Sequence, residues 1–261
     1  MNRESLFVTV IIPVYNGENF IAGAIKNILE QNYASLEIII IDDGSTDGAA
    51  EVITGFNKHV RYVYQPNRGP AVARNRGIRI ASGDVIAFLD VDDRWSRNSL
   101  HRQARYLASN PSVDIVQGLI QKMRFDAPAE DGELIFKPSS SPYRFINLGS
   151  ALYRKSVFDK VGLFDETLRY NEDTDWFFRA WEHNISKAVL DEVTLFYRIH
   201  DGNMTHGVNL PHSGLIPLFK KHLERCRLRG GLQTTPRSGL RSLSEYIGWS
   251  GMEEGKGRYY D

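Results

Sequence analysis

The 261-residue sequence predicts an α/β protein with a mainly parallel central sheet flanked by helices. Three observations lead there. Nearly uninterrupted apolar runs recur at Phe7 to Ile12, Leu36 to Ile41 and Val85 to Leu89, as strands buried on both faces require. Segments with helical spacing lie between them. Each run ends in polar or acidic residues, which puts those residues at the carboxyl edge of the sheet, where open α/β sheets bind ligands.

The elements follow in order. Phe7 to Ile12 is the first strand, Pro13 stops it, and Ile21, Ile25, Ile28 and Leu29 then share one face of a helix. Leu36 to Ile41 is the second strand. It runs into Asp42, Asp43, Gly44, Ser45, Thr46 and Asp47, where Ser45 or Thr46 is expected to cap a helix burying Val52, Ile53 and Phe56. Val60 to Tyr64 gives a third strand, and Gly69 and Pro70 open a helix that Ser82 and Gly83 stop after Ala81. The strand at Val85 leads into Asp90, Val91, Asp92 and Asp93. A helix from Ser96 to about Ser109 and a strand from Val113 to Ile120 follow.

The rhythm breaks at residues 126–142, rich in Pro, Ser, Asp and Glu, which read as a long loop between two functional halves. Order is expected again at Leu148 to Tyr153, in a short helix near Ser156 to Val161, in a helix starting around Asp173, and in strand-like segments at Lys187 to Leu190 and Val193 to Ile199. From His212 to Arg229 apolar and basic residues interleave as in an amphipathic helix. Such a helix packs on its own domain or lies on an anionic membrane surface.

Composition narrows the function classes. Lys plus Arg and Asp plus Glu are equal at 32 each, so no global charge points to nucleic acid. Cys226 is the single cysteine, which excludes an internal disulfide. The N-terminal residues lack a signal-peptide pattern, and no apolar run approaches the roughly 20 residues of a membrane span. The expectation is a soluble, cytoplasmic protein, at most peripheral at the inner face of the membrane through residues 212–229.

Chemistry concentrates at the strand ends: Tyr15 and Asn16, then Asp42 and Asp43, then Arg68 and Arg74, then Asp90 and Asp92. Three carboxylates at Asp90, Asp92 and Asp93 repel one another unless water, a basic neighbour or a divalent cation offsets them. Hard oxygen donors favour Mg²⁺ or Mn²⁺ over zinc. The plain alternative is a solvated turn with Asp93 near the start of the next helix. Neither GxGxxG nor GxxxxGKS occurs, so a metal is the natural way to hold a diphosphate.

These residues, with Pro13, Val14, Asn67, Gly69, Ala73, Asn75, Gly77, Gly83, Asp84 and Leu89, and with Val161, Gly162, Phe164, Asp165, Glu166, Glu172 and Asp173 in the second half, resemble glycosyltransferase family 2 on a GT-A fold. The match covers about residues 7–200. It implies metal-dependent, inverting transfer of a sugar from a nucleotide-diphospho-sugar, a UDP-sugar first, to a hydroxyl of a sugar or lipid-linked glycan in cell-surface polysaccharide or glycolipid synthesis. The expected division is 1–121 for nucleotide binding, 122–211 for acceptor binding and catalysis, and, from its own residue pattern, 212–261 as basic helix and tail.

Carried over residue by residue, Pro13, Tyr15, Asp42, Asp43, Arg74, Asp90 and Val91 would line the nucleotide, with Asp43 on the base and Tyr15 flanking its ring. Asp92 would bind Mg²⁺ or Mn²⁺, with His200 as a second ligand, and Asp173 would be the base. For Asp42 and Asp43 the alternative is an Asx-turn, for Asp173 a structural acid at a helix start, and for His200 a hydrogen-bonded surface residue. Trp176 and Trp181 read as core, and Arg179 and Arg198 as holders of phosphate or structural acids. Nucleotidyl transfer would need a glycine-rich basic first loop, which Pro13 to Gly17 is not. A silent nucleotide-sugar or glycan-binding module would have no reason to keep Asp43, Asp92 and Asp173 together.

Overall fold

The structure is a computed structural model that describes residues 5–128, 134–204, 216–228 and 242–248. Its first half alternates β1 (Val8–Val14), α1 (Glu18–Leu29), β2 (Leu36–Asp42), α2 (Ala49–Thr54), β3 (Arg61–Tyr64), α3 (Pro70–Ile80) and β4 (Val85–Phe88). A short β5 (Arg94–Trp95), α4 (Ser99–Ser109), β6 (Ile115–Pro128) and β7 (Leu134–Pro138) follow. Then come β8 (Ala151–Arg154), α5 (Ser156–Val161), α6 (Glu172–Glu182), β9 (Lys187–Ile199), α7 (Ile216–Leu228) and α8 (Leu243–Ile247).

The strands form one sheet in the order β3-β2-β1-β4-β8-β6-β9-β5, with β7 paired to β6 alone. Pairs β1–β2, β1–β4, β2–β3 and β6–β9 are parallel, while β8 lies antiparallel between β4 and β6. The chain order reverses at β1 and β4, and in open α/β sheets ligands bind in a crevice beyond the carboxyl ends of the strands at such a point. The acids that follow β2 and β4 are delivered there.

Both sheet faces are buried, which is why the strands read as apolar runs. Along β1, Ile11 enters one core with Phe88, Tyr153 and Trp176, while Val10 and Ile12 enter the other with Ile21, Ile25 and Leu100. Gly77 lets α3 sit close on β1, since a Cβ there would come 2.5 Å from Ile11 Cγ2. Trp176 is fully buried, as expected, in an aromatic cluster with Tyr153, Phe158, Phe164 and Phe177. Its indole N–H donates to Gly162 O at 2.9 Å, which satisfies the ring's one polar group.

Several local expectations change. Neither Ser45 nor Thr46 caps α2, whose N-cap is Gly48; their amides donate instead to Asp42 Oδ1 and Asn16 Oδ1. The helix expected from Ser96 starts at Ser99, after Asn98 in a left-handed conformation. Much of 126–142 is sheet rather than loop, because β6 runs on to Pro128 and β7 pairs back on it, setting Phe125 against Phe136. Cross-strand pairing outweighs the loop-like composition. The two segments expected between Lys187 and Ile199 are one strand, β9.

Of the two surfaces open to the C-terminal helix, α7 packs on its own domain. Leu218 and His222 are buried, Phe219 meets Phe178 at 5.5 Å, and Lys221 pairs with Asp165 at 2.7 Å. Residues 212–215 and 229 lie outside the described residues. The aromatic cluster generates a stability prediction. Trp176→Ala should lower unfolding free energy by about 3–5 kcal/mol through lost burial and the cavity left behind, read from urea unfolding; an unchanged midpoint would contradict the cluster's role.

Candidate active site

The turn after β1 is laced to the turn after β2. Asn16, left-handed at φ 52°, receives the Thr46 amide on Oδ1 at 2.8 Å and gives its own amide to Ser45 Oγ at 3.0 Å. Asp43 N–H donates to Val14 O at 2.8 Å. Gly17 lets the acid loop approach, since a Cβ there would sit 2.7 Å from Val14 Cγ2 and 3.0 Å from Val91 Cγ2. Pro13 stays within β1, opposite Ile41. Tyr15, directly after β1, is 53% exposed.

The two acids after β2 do different work. Asp42 is buried, with Oδ1 accepting from Ser45 N–H at 2.8 Å and Oδ2 from Tyr62 Oη at 2.7 Å. It holds the turn in the manner of an Asx-turn. Asp43 organises the segment leading to α3: Oδ1 accepts from Gln65 Nε2 at 2.7 Å and from Arg68 N–H at 2.9 Å, and Oδ2 from Gly69 N–H at 2.7 Å. Gly69, at φ 92°, turns the chain into Pro70 at the helix start.

Arg74 projects from α3 into the middle of the site. Its Nη2 donates to Asp90 Oδ1 at 2.6 Å and its Nη1 to Glu172 Oε1 at 2.5 Å, so one buried guanidinium ties the loop after β4 to the start of α6. Burial alone would lower its pKa, but Asp90 and Glu172 reverse that and raise it, keeping the charge fixed. Asp173 follows Glu172 in the first turn of α6, where its Oδ1 accepts the Thr174 amide at 2.6 Å. Burial raises its pKa against the opposing pull of Arg74 and Thr174, and Asp90 adds to the rise. Glu172 is likewise raised by burial, with Arg74 opposing and Asp173 adding.

On the other flank, Asp92 Oδ2 accepts from Asn203 Nδ2 at 2.8 Å and lies 3.2 Å from His200 Nε2. The His200 ring rests on Phe20, 4.6 Å between centroids. Arg198 gives its amide to Asp93 Oδ1 at 2.9 Å and its Nε to the Asp92 carbonyl. Its guanidinium lies 5.3 Å from the Phe20 ring centre and 4.7 Å from that of Phe136. Burial, with Asp92 and Asp90 adding, pushes the Asp93 carboxyl well up despite Arg198. Asp93 is thus a buried support for β9 rather than a helix cap.

Asp92 and His200 are the donors that would hold a divalent ion. Their 3.2 Å separation is close to the roughly 3 Å between adjacent ligands of an octahedral ion with bonds of about 2.1 Å. Two protein ligands, with phosphate and water completing the shell, is how magnesium-type ions are usually held. Gly202 N–H donates to His200 Nδ1 at 3.1 Å, which leaves the ring proton on Nε2. An ion held through Nε2 would therefore require the ring proton to leave that nitrogen.

Arg74 thus joins Asp90 to the helix start that carries Glu172 and Asp173, and Asp92 is joined to His200, while Asp42 and Asp43 are bonded to the turns beside them. Sequence reading passed over Asn203 and Phe20, whose roles come from the fold bringing them to Asp92 and His200. Arg74→Met should destabilise the fold by about 3–5 kcal/mol, because it leaves Glu172 buried without its partner. Pairing it with Glu172→Gln should recover part of the loss in urea unfolding; a single variant as stable as the wild type would refute the bridge.

Comparison with known proteins gives concordant likenesses. The family model described as "Glycosyl transferase family 2" matches residues 9–162. An uncharacterized glycosyltransferase of Rickettsia typhi is 30% identical over 217 residues, covering 78% of this chain and 68% of that one. The uncharacterized glycosyltransferase EpsJ of Bacillus subtilis is 30% identical over 236 residues, covering 84% and 67%. Among solved structures, a mannosyltransferase of Pyrobaculum calidifontis in complex with GDP-Man and Mn²⁺ superposes with TM-score 0.63 at 20% identity, over 87% of this chain and 65% of that one. S. aureus TarS 1-349 in complex with UDP-GlcNAc gives TM-score 0.62 at 21% identity, over 75% and 59%. The chain thus spans about two thirds of the length of these relatives.

Proposed function

The chain belongs to glycosyl transferase family 2 and has the GT-A fold, and from that premise we propose that it is a metal-dependent inverting glycosyltransferase. Its donor would be a nucleotide-diphospho-sugar, with a UDP-sugar first in line, and its acceptor a hydroxyl of a sugar or lipid-linked glycan in cell-surface polysaccharide or glycolipid synthesis. The observation that carries the reading is the Arg74 bridge, which sets the Asp90–Asp92 loop and the Asp173 helix start beside one another. TarS bound to UDP-GlcNAc and the mannosyltransferase bound to GDP-Man and Mn²⁺ support the donor class and the ion.

The proposed roles are those that the family resemblance implies. Asp43, though buried and held by Gln65 and the Arg68 and Gly69 amides, would meet the base with the edge of its carboxylate, and Tyr15 would lie against the ring. Asp42 positions that turn, and Pro13 and Val91 form the wall beneath the nucleotide. Asp90, oriented by Arg74, meets the ribose or diphosphate. Asp92 and His200 would hold Mg²⁺ or Mn²⁺, which when bound offsets the charge left on the departing nucleoside diphosphate.

Asp173 takes the proton of the acceptor hydroxyl as its oxygen bonds to the sugar carbon and the bond from sugar to phosphate breaks on the opposite face. A raised pKa suits a base, which works best near its operating pH. Residues 1–121 are read as the nucleotide half and 122–211 as the acceptor and catalytic half. No helix among the described residues is long and apolar enough to cross a membrane. Exposed Phe219, Lys220, Leu223 and Arg227 on α7 are the surface that would meet an anionic inner leaflet.

Titration calorimetry with UDP, GDP and dTDP, each with Mn²⁺, Mg²⁺ or chelator, should show metal-dependent binding of one nucleotide, and Asp92→Asn should remove that dependence. Equal affinity with and without metal in the wild type would sink the assignment. Asp173→Asn should leave donor affinity unchanged while lowering kcat by about 10²–10⁴-fold. In the wild type kcat/KM should fall with decreasing pH as Asp173 takes up a proton, at a higher pH than an ordinary aspartate would. An active Asn variant, or an acid limb at the ordinary aspartate position, would move the base elsewhere.

A further inference from the structure

Away from the crevice, the described residues bring together three other metal-ligating side chains: Glu182 at the end of α6, and His222 and Cys226 on α7. His222 Nδ1 lies 2.7 Å from Glu182 Oε1, and Cys226 Sγ lies 3.9 Å and 3.8 Å from the two ring nitrogens of His222. One donor atom from each falls within 4.8 Å of the others. His222 and Cys226 are four residues apart and so share one helix face. The Glu182 and His222 side chains are only 3% and 7% exposed, and Cys226 is half-buried, so two of the three donors are shielded from water.

We propose that Glu182, His222 and Cys226 bind a Zn²⁺ ion that fastens α7 to α6. A thiolate, an imidazole and a carboxylate are the ligand types zinc takes, and the thiolate selects against magnesium and calcium. Adjacent ligands on tetrahedral zinc stand about 3.3–3.6 Å apart. The carboxylate therefore moves out slightly from the ring, and the thiol moves in.

Arg225 is the competitor, and its geometry lets it stay. Its Nε reaches Glu182 Oε2 at 2.9 Å and Oε1 at 3.0 Å, its Nη2 reaches Oε1 at 2.9 Å, and its Nη1 holds Asp175 Oδ1 at 3.0 Å. Oε1 passes to the ion while Oε2 and Asp175 keep the guanidinium. Arg225 then orients the ligating carboxylate from behind, as outer partners of metal ligands do. On binding, Cys226 gives its thiol proton to solvent, His222 Nδ1 gives up the proton it shares with Glu182 to solvent or, by exchange, to Nε2, and no electron is transferred. This site is independent of the sugar-transfer reading.

The test uses the full chain and Co²⁺ as the probe. Cys226 is the only cysteine, so a thiolate-to-cobalt charge-transfer band reports this site alone and is blind to an ion at Asp92. The wild type should develop the band to an equimolar end point, and Zn²⁺ should abolish it by displacement. His222→Gln and Glu182→Gln should each weaken it by about tenfold or more. Zn²⁺ should also raise the melting temperature of the wild type but not of Cys226→Ser, a near-isosteric variant. No band in the wild type overturns the site. So does a band whose affinity survives both glutamine variants, which would mean that the thiol binds cobalt by itself.

Discussion

The guanidinium of Arg74 is the constraint on which the site depends. A buried cation with two carboxylates is costly to assemble, and it holds only if both partners stay in place. One partner, Asp90, comes from the loop after β4; the other, Glu172, begins α6 far along the chain. Satisfying that charge fixes the distance between the two loops. Asp173 and Asp92 inherit their relative positions from this electrostatic requirement, not from contact with one another.

Around that centre, the acids divide between building the crevice and facing it. Asp42 and Asp93 are buried and spent on Ser45, Tyr62 and the Arg198 amide. Asp90 and Asp92 keep part of their surface toward solvent. Neighbouring carboxylates in one loop can therefore have opposite jobs, and burial distinguishes them where residue type does not.

That distinction marks the limit of what the sequence made legible. The parallel strands were readable because two-sided burial forces uninterrupted apolar runs such as Ile38 to Ile41. The strand-end acids were readable because such a sheet places its carboxyl edge in one region. The β6–β7 pairing was not, since its composition is that of a loop and its stability comes from cross-strand partners such as Phe125 and Phe136. Asn203, which reaches Asp92, and Phe20, which underlies His200, were hidden for a related reason. Each acts on a residue more than 100 positions away, and no local pattern carries such a link.

The antiparallel insertion of β8 between β4 and β6 has a consequence for the chain as it leaves the ribosome. β6 is synthesised before either strand that flanks it, so its hydrogen-bonding edges wait for partners that do not yet exist. When β8 emerges it can dock on β4 and β6 together, and β9, made later still, takes the place between β6 and β5. An incomplete chain therefore displays an open sheet margin, the kind of surface on which other nascent chains pair.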